Sequence, residues 1–167
     1  MSKTERPPAA RSDPVDLQEA FEVHAPAILR LCLLVTGRQD AAEDLVQETF
    51  VRAAGKLGSV APEAVRSYLR RTAMNLWNSR LRRLRLERRM AHQLREEPVV
   101  GGGEQRHEVW QAVLTLPPRQ RAIVVLRYFE DMTERDTAAA LGCAVGTVKS
   151  QANRALAKLR MELGDED

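Results

Sequence analysis

Within residues 116–160, Thr133 stands three positions ahead of Asp136, Gly142 follows, and Val148, Ala152, Ala155 and Leu159 then recur at spacings of four, three and four. That order constrains the fold more than any other feature of the chain. A Thr-x-x-Asp pair satisfies orphaned backbone donors at a helix start. The helix it opens runs to about residue 141, where Gly142 supplies the left-handed backbone needed to leave a helix. The four apolar residues mark the buried stripe of a second helix, starting near Val145 or Gly146. Two helices joined by so tight an elbow form a helix-turn-helix. Lys149, Ser150, Gln151, Arg154 and Lys158 are left facing outward. Gln and Arg make paired hydrogen bonds to base edges in a major groove, while Lys and Ser hold phosphates. Any amphipathic surface helix shows a polar outer face. This one carries no acid between residues 146 and 158, which favours DNA.

The remainder also reads as helical. Aromatic residues are only 4% of the 167, and no run alternates as a half-buried strand would, so the expected class is all-α. Leu17, Phe21, His24, Ile28, Leu31 and Val35 define a first helix ended by Gly37, with His24 at the core edge. A second, from Gln39 or Asp40, sets Ala42, Leu45, Val46, Thr49, Phe50 and Ala53 against an opposite flank of Glu43, Asp44, Gln47 and Glu48. Pro62 opens a third helix with Val65, Leu69, Thr72 or Ala73, and Leu76. Residues 87–105 contain Pro98 and Gly101, Gly102 and Gly103, which cannot continue a helix cheaply, and form an expected flexible linker. Beyond it, a short helix with Val109, Trp110, Val113 and Leu114 and another with Ile123, Leu126 and Phe129 would underlie the helix-turn-helix, Trp110 lying in the core. The expected organisation is two small helical domains, 14–86 and 106–162, between a disordered start (1–13) and an acidic tail (163–167).

Charge is unevenly spread although the net value is only +3. Between residues 13 and 54, eight acids (Asp13, Asp16, Glu19, Glu22, Asp40, Glu43, Asp44, Glu48) face three arginines (Arg30, Arg38, Arg52). Between residues 66 and 89 the balance reverses: arginines at 66, 70, 71, 80, 82, 83, 85, 88 and 89 stand against the single Glu87. A polyanion is the natural partner of such a cluster. Asn75, Leu76, Trp77, Asn78 and Ser79 directly precede its densest part, a mixture of amides and an aromatic suited to unstacked bases. Trp77 could equally be buried in the bundle.

Other chemistry is excluded or weak. Cys32 and Cys143 lie far apart without metal-ligand spacing and read as reduced core residues. His24, His92 and His107 are scattered, so no metal, cofactor or catalytic set is expected, and a nuclease built on Asp40, Glu43 and Asp44 lacks a second ligand set. No apolar run could span a membrane and the start is not a signal peptide, which points to a cytoplasmic protein.

The stretches DAAEDLVQETFVRAA (40–54), RSYLRRTAMNLWNSRLRR (66–83) and LPPRQRAIVVLRYFEDMTERDTAAALGCAVGTVKSQANRALAKLR (116–160) resemble bacterial RNA polymerase sigma factors of the extracytoplasmic-function type, in order and over nearly the whole chain. The likeness is greatest to the short actinobacterial SigE-like branch. It implies a first domain, sigma region 2, that binds the clamp helices of core RNA polymerase and opens the −10 element. It implies a second, sigma region 4, that grips the flap and reads the −35 element. By position, Asp44, Leu45, Gln47, Glu48 and Phe50 resemble the polymerase-docking helix. Asn75, Trp77, Asn78, Ser79, Arg80, Arg82 and Arg83 resemble the part that recognises the −10 element and holds its flipped base. Thr147, Lys149, Ser150, Gln151 and Arg154 resemble the −35 reading face, with Arg119 and Arg135 on phosphates. Ser79 stands where many relatives carry an acid, Gln151 where arginine is frequent, and Ala144 where a serine usually caps the recognition helix. With no zinc-type cluster or extra domain, regulation would fall to an anti-sigma factor in trans or to transcription of the gene. A stand-alone helix-turn-helix regulator is the alternative, and it explains only the second half.

Overall fold

The computed structural model describes residues 15–90 and 104–164, and every regular element among them is helical. The expected disordered start, the centre of the expected linker and residues 165–167 of the tail lie outside the described residues.

Helix α1 (Leu17–Thr36) starts where Asp16, in extended backbone, accepts with its carboxylate from the N–H groups of Gln18 and Glu19 at 3.2 and 3.3 Å. It ends at Gly37, whose φ of 73° lets its N–H reach the Leu33 carbonyl. The Thr36 hydroxyl donates to the Cys32 carbonyl and accepts from the Arg38 N–H, fastening a turn of two residues into α2 (Gln39–Leu57). After a 3-10 turn at Pro62–Ala64 the chain enters α3 (Val65–Met90), which packs across both. Ile28, Leu31, Val35, Leu45, Leu57, Leu69 and Met74 close this core, each essentially out of solvent.

Leu17 and Phe21, expected on the buried stripe of α1, are instead 41% and 47% exposed. From α2, Phe50 lies edge-on to Phe21 at 4.9 Å. The space beside them is a groove lined by Gln18, Gln47 and Val51. Pro26 lies inside α1, and the helix runs through it, anchored by the buried residues that follow.

The second half comprises α4 (Glu104–Thr115), α5 (Pro118–Val124), α6 (Glu134–Leu141) and α7 (Val145–Leu163). The chain leaves α5 through a π turn, Val125–Phe129, in which the Glu130 N–H reaches back to the Val125 carbonyl. This extra residue rotates the register, so Phe129, expected to pack inward, is 48% exposed while Ile123 and Leu126 are buried. Val113, Leu116, Val124, Ala155 and Leu159 form this half's own core, with Trp110 half-buried against it. Helix α3 continues to Met90 and α4 begins at Glu104, so helical residues enter the expected linker (87–105) from both ends. Good helix formers and the Arg83–Glu87 pair at 3.8 Å one turn apart carry α3 onward.

Candidate nucleic-acid interface

On α2 the acidic flank is real but its apolar members are not surface groups. Asp44 and Gln47 are exposed and Glu48 half-buried, whereas Leu45 and Phe50 are 0% and 4% exposed. Those two expected docking residues are core residues that hold the flank in place. Glu48 is shared between Arg80 of α3 at 2.8 Å and Arg52 at 3.6 Å. Asp40 is engaged by Arg38 at 2.7 Å, and that hydrogen bond holds its carboxyl down at about 2.

Between the end of α2 and the first half of α3 lies a polar cavity of about 230 Å³, lined by Arg52, Lys56, Tyr68, Thr72, Asn75, Leu76 and Ser79. Tyr68, Thr72, Asn75 and Ser79 step along α3 by four, three and four, which puts them on one face. The same spacing rule that marks buried stripes could have found this polar one. Ser79 donates to the Asn75 carbonyl and accepts from Arg82, and Thr72 donates to the Tyr68 carbonyl. Two cations, an aromatic, an amide and hydroxyls around a space smaller than drug-sized pockets of roughly 300–1,000 Å³ suit one unstacked base and its phosphate.

Trp77 and Asn78 do not belong to that cavity. Trp77 lies about 200° around the helix from Asn75 at ~100° per residue. It is 8% exposed, within the core, and its Nε1 has no hydrogen-bond partner. Asn78 turns to the second half, donating from Nδ2 to the Ala140 carbonyl at 3.2 Å. Residues 75–79, contiguous in sequence, are distributed by the helix over three directions: cleft, core and second half. Arg82 and Arg83 are exposed; Arg80 is half-buried against Glu48.

The helix-turn-helix forms as its caps dictate. The Thr133 hydroxyl accepts from the Asp136 N–H at 3.1 Å, and the Asp136 carboxylate accepts from that hydroxyl. Gly142 has φ 59° and its N–H closes α6. Ala144 begins α7 in extended backbone with no side-chain cap. Val148, Ala152, Ala155 and Leu159 are buried as the stripe required. Lys149, Ser150 and Arg154 are exposed, Thr147 half-buried. Lys149 leans to Glu134 at 3.5 Å, and Gln151 is half-buried with its carbonyl accepting from Gln120 at 3.0 Å. Gln151 is therefore less free than an outward-facing residue. Arg135 is exposed at the start of α6 and Arg119 half-buried on α5.

Among the described residues no group of His, Cys, Asp or Glu could hold a metal, and no helix is long and apolar enough to cross a membrane. Cys32 is buried, and burial pushes its thiol up to about 12; Cys143, expected in the core, is half-buried.

An acid-flanked helix, a polar cleft beside an arginine-rich helix and a helix-turn-helix on one chain define a two-domain helical transcription factor. Residues 20–87 match the sigma-70 region 2 family and residues 106–159 match sigma-70 region 4. The chain is 35% identical to the RNA polymerase sigma-E factor of Streptomyces avermitilis, over 95% of this chain and 90% of that one. It is 32% identical to the extracytoplasmic-function sigma factor SigE of Mycolicibacterium smegmatis, over 85% of this chain and 59% of that one. Among solved structures it is similar to the sigma factor RpoE of Bartonella quintana in complex with the anti-sigma factor NepR. That match has a TM-score of 0.68 at 25% identity and covers 91% of this chain and 99% of that one. The chain belongs to the sigma-70 family of RNA polymerase sigma factors, in its extracytoplasmic-function branch. A stand-alone helix-turn-helix regulator would leave the region 2 match unaccounted for, and that reading is set aside.

Proposed function

We propose that this chain binds core RNA polymerase in the cytoplasm and directs it to promoters, region 2 (residues 14–86) opening the −10 element and region 4 (residues 106–162) reading the −35 element. The observation that carries this is the pairing, on one family-matched chain, of a base-sized polar cleft with an exposed acid-free recognition face. Asp44, Gln47 and Glu48 on α2 are the polymerase-facing residues. Asn75 and Ser79, with Arg52, Lys56, Tyr68 and Thr72, receive the extruded base, and Arg82 and Arg83 hold the backbone beside it. Arg154 and Gln151 contact base edges, Lys149, Ser150 and Thr147 support them, and Arg119 and Arg135 hold phosphates. The chemistry is binding and strand separation; no bond is made or broken by these residues. Flap contact belongs to region 4. The likeness to a sigma factor solved with NepR supports an anti-sigma protein acting in trans.

Run-off transcription with purified core polymerase on a promoter carrying both elements tests the reading. Specific transcripts should appear only when the chain is added. Tight promoter binding by the chain alone, with no stimulation of polymerase, would overturn it.

A further inference from the structure

Two apolar hollows of about 490 and 470 Å³ lie side by side between α1 and α2. Phe21 and Gln47 line both, so the hollows form one groove, running from Leu17 at the start of α1 past Phe21 to Leu29. Its walls are hungry for cover: Leu17, Phe21 and Val51 stay exposed although each would gain by burial. Its rim is acidic. Glu22 and Glu43 line it, and their hydrogen-bond partners are the neutral amides of Gln18 and Gln39. Through Gln47, one turn along α2 from Asp44, the groove runs into the polymerase-facing flank.

We propose that the groove seats this chain's own Arg6–Arg11 run, Arg-Pro-Pro-Ala-Ala-Arg, which lies outside the described residues, and that the seated run shields the polymerase-facing flank until polymerase displaces it. Val15 packs against the core just before the Asp16 cap of α1, so the preceding segment leaves the fold at the Leu17 end of the groove. Ser12, Asp13 and Pro14 are turn formers that can reverse it onto α1. From Arg6 to Arg11 polyproline-type backbone covers roughly 15 Å at ~3.1 Å per residue. From Phe21 to Leu29 the helix covers roughly 12 Å at ~1.5 Å per residue. Pro7 and Pro8 suit the Phe21 and Phe50 rings, as proline-rich segments suit aromatic-lined grooves. Arg6 and Arg11, with no acid between them, answer the acidic rim. A second copy docking the same face would instead bring acid against acid. A run seated about nine-tenths of the time leaves about a tenth of the chains competent and weakens polymerase capture about tenfold. The shield rests on the sigma-factor reading for its purpose, though not for its fit.

Nuclear magnetic resonance of the full chain at low ionic strength tests the seat. The variants are a tail pair, Arg6→Glu with Arg11→Glu, a groove pair, Glu22→Arg with Glu43→Arg, and both pairs together. In wild type the amides of Ala9 and Ala10 should give heteronuclear NOE values like those of α1. Either pair alone should set them moving freely, and the combined variant should restore their order. Because the two pairs change net charge in opposite directions, a common release cannot be a net-charge effect. Free motion in wild type, order kept in either pair, or no restoration in the combined variant would overturn the proposal. Order that fades on dilution would give the groove to a second copy and overturn it as well. Capture of core polymerase is the second arm, in which the tail pair should bind about tenfold more tightly than wild type. Equal capture would overturn the shield and keep the sigma-factor reading. Capture of neither, with no run-off transcription, would discard that reading, and with it the shield.

Discussion

Glu48 of α2 and Arg80 of α3 meet at 2.8 Å, so one residue of the polymerase-facing flank and one of the −10 cluster neutralise each other across the helix pair. Asp44 is exposed on the same flank. Asp44→Lys should therefore abolish capture of core polymerase with an unchanged melting temperature. Glu48→Lys should abolish capture and also destabilise the fold, by about 1 kcal/mol, because it turns Arg80 and Arg52 into like-charged neighbours. Pull-down of core polymerase beside thermal melts separates the two; equal melting temperatures would remove Glu48 from any structural role.

The cleft residues and Asn78 should behave differently although they are neighbours in sequence. Asn75 and Ser79 line the cavity, while Asn78 bonds to Ala140. Asn75→Ala with Ser79→Ala should leave holoenzyme assembly intact and reduce open complex on duplex promoters. A pre-melted bubble should restore part of the activity, since the unstacking cost is met beforehand. Asn78→Ala should leave opening by the holoenzyme near wild type. Permanganate footprinting reads both, and the reverse ranking would move the base receptor to the Asn78 face.

Trp77 should prove a folding residue. It is buried, so Trp77→Ala should cost about 3–5 kcal/mol. Its Nε1 has no partner, so Trp77→Phe should retain most of the stability and the full extent of promoter opening. Loss of opening in a well-folded Trp77→Phe would return the indole to the DNA.

The contrast between Trp77 and Ser79 shows what was legible in the sequence. Periodicities and caps transferred directly: Gly37 and Gly142 end helices with positive φ, and the Val148 to Leu159 stripe is buried. Those signals are local, set by one helix's own geometry. The 75–79 cluster was read as a contiguous patch, yet helix rotation sends its members to the cleft, the core and the second domain. Leu45 and Phe50 were assigned by position to a surface that α1 and α3 cover. The Phe129 register was lost because a π turn inserts a residue with no composition signature. Glu130 has no local signature, because its partners lie 60 residues or more away in the chain.

Ala144 stands at the N-cap of α7 with φ −73° and ψ 149°, a backbone already suited to a capping residue. Ala144→Ser should therefore stabilise the chain by about 1 kcal/mol by accepting from an N–H of the first turn. Differential scanning calorimetry checks it. No gain would mean that those first-turn donors are already satisfied.

The recognition helix offers three distinct outcomes. Arg154 is exposed on α7, so Arg154→Ala should relax −35 base preference at a cost of about 1–3 kcal/mol. Lys149 leans on Glu134, and Lys149→Ala should weaken all sequences alike while flattening the salt dependence of binding. Gln151 must first leave Gln120 to reach a base. Gln120→Ala should therefore free it and sharpen its preference, whereas Gln151→Ala should relax preference at its own position only. Selection from randomised −35 promoters with the holoenzyme reads all four variants. If Arg154→Ala returns the wild-type −35 sequence, the base contact lies elsewhere on α7.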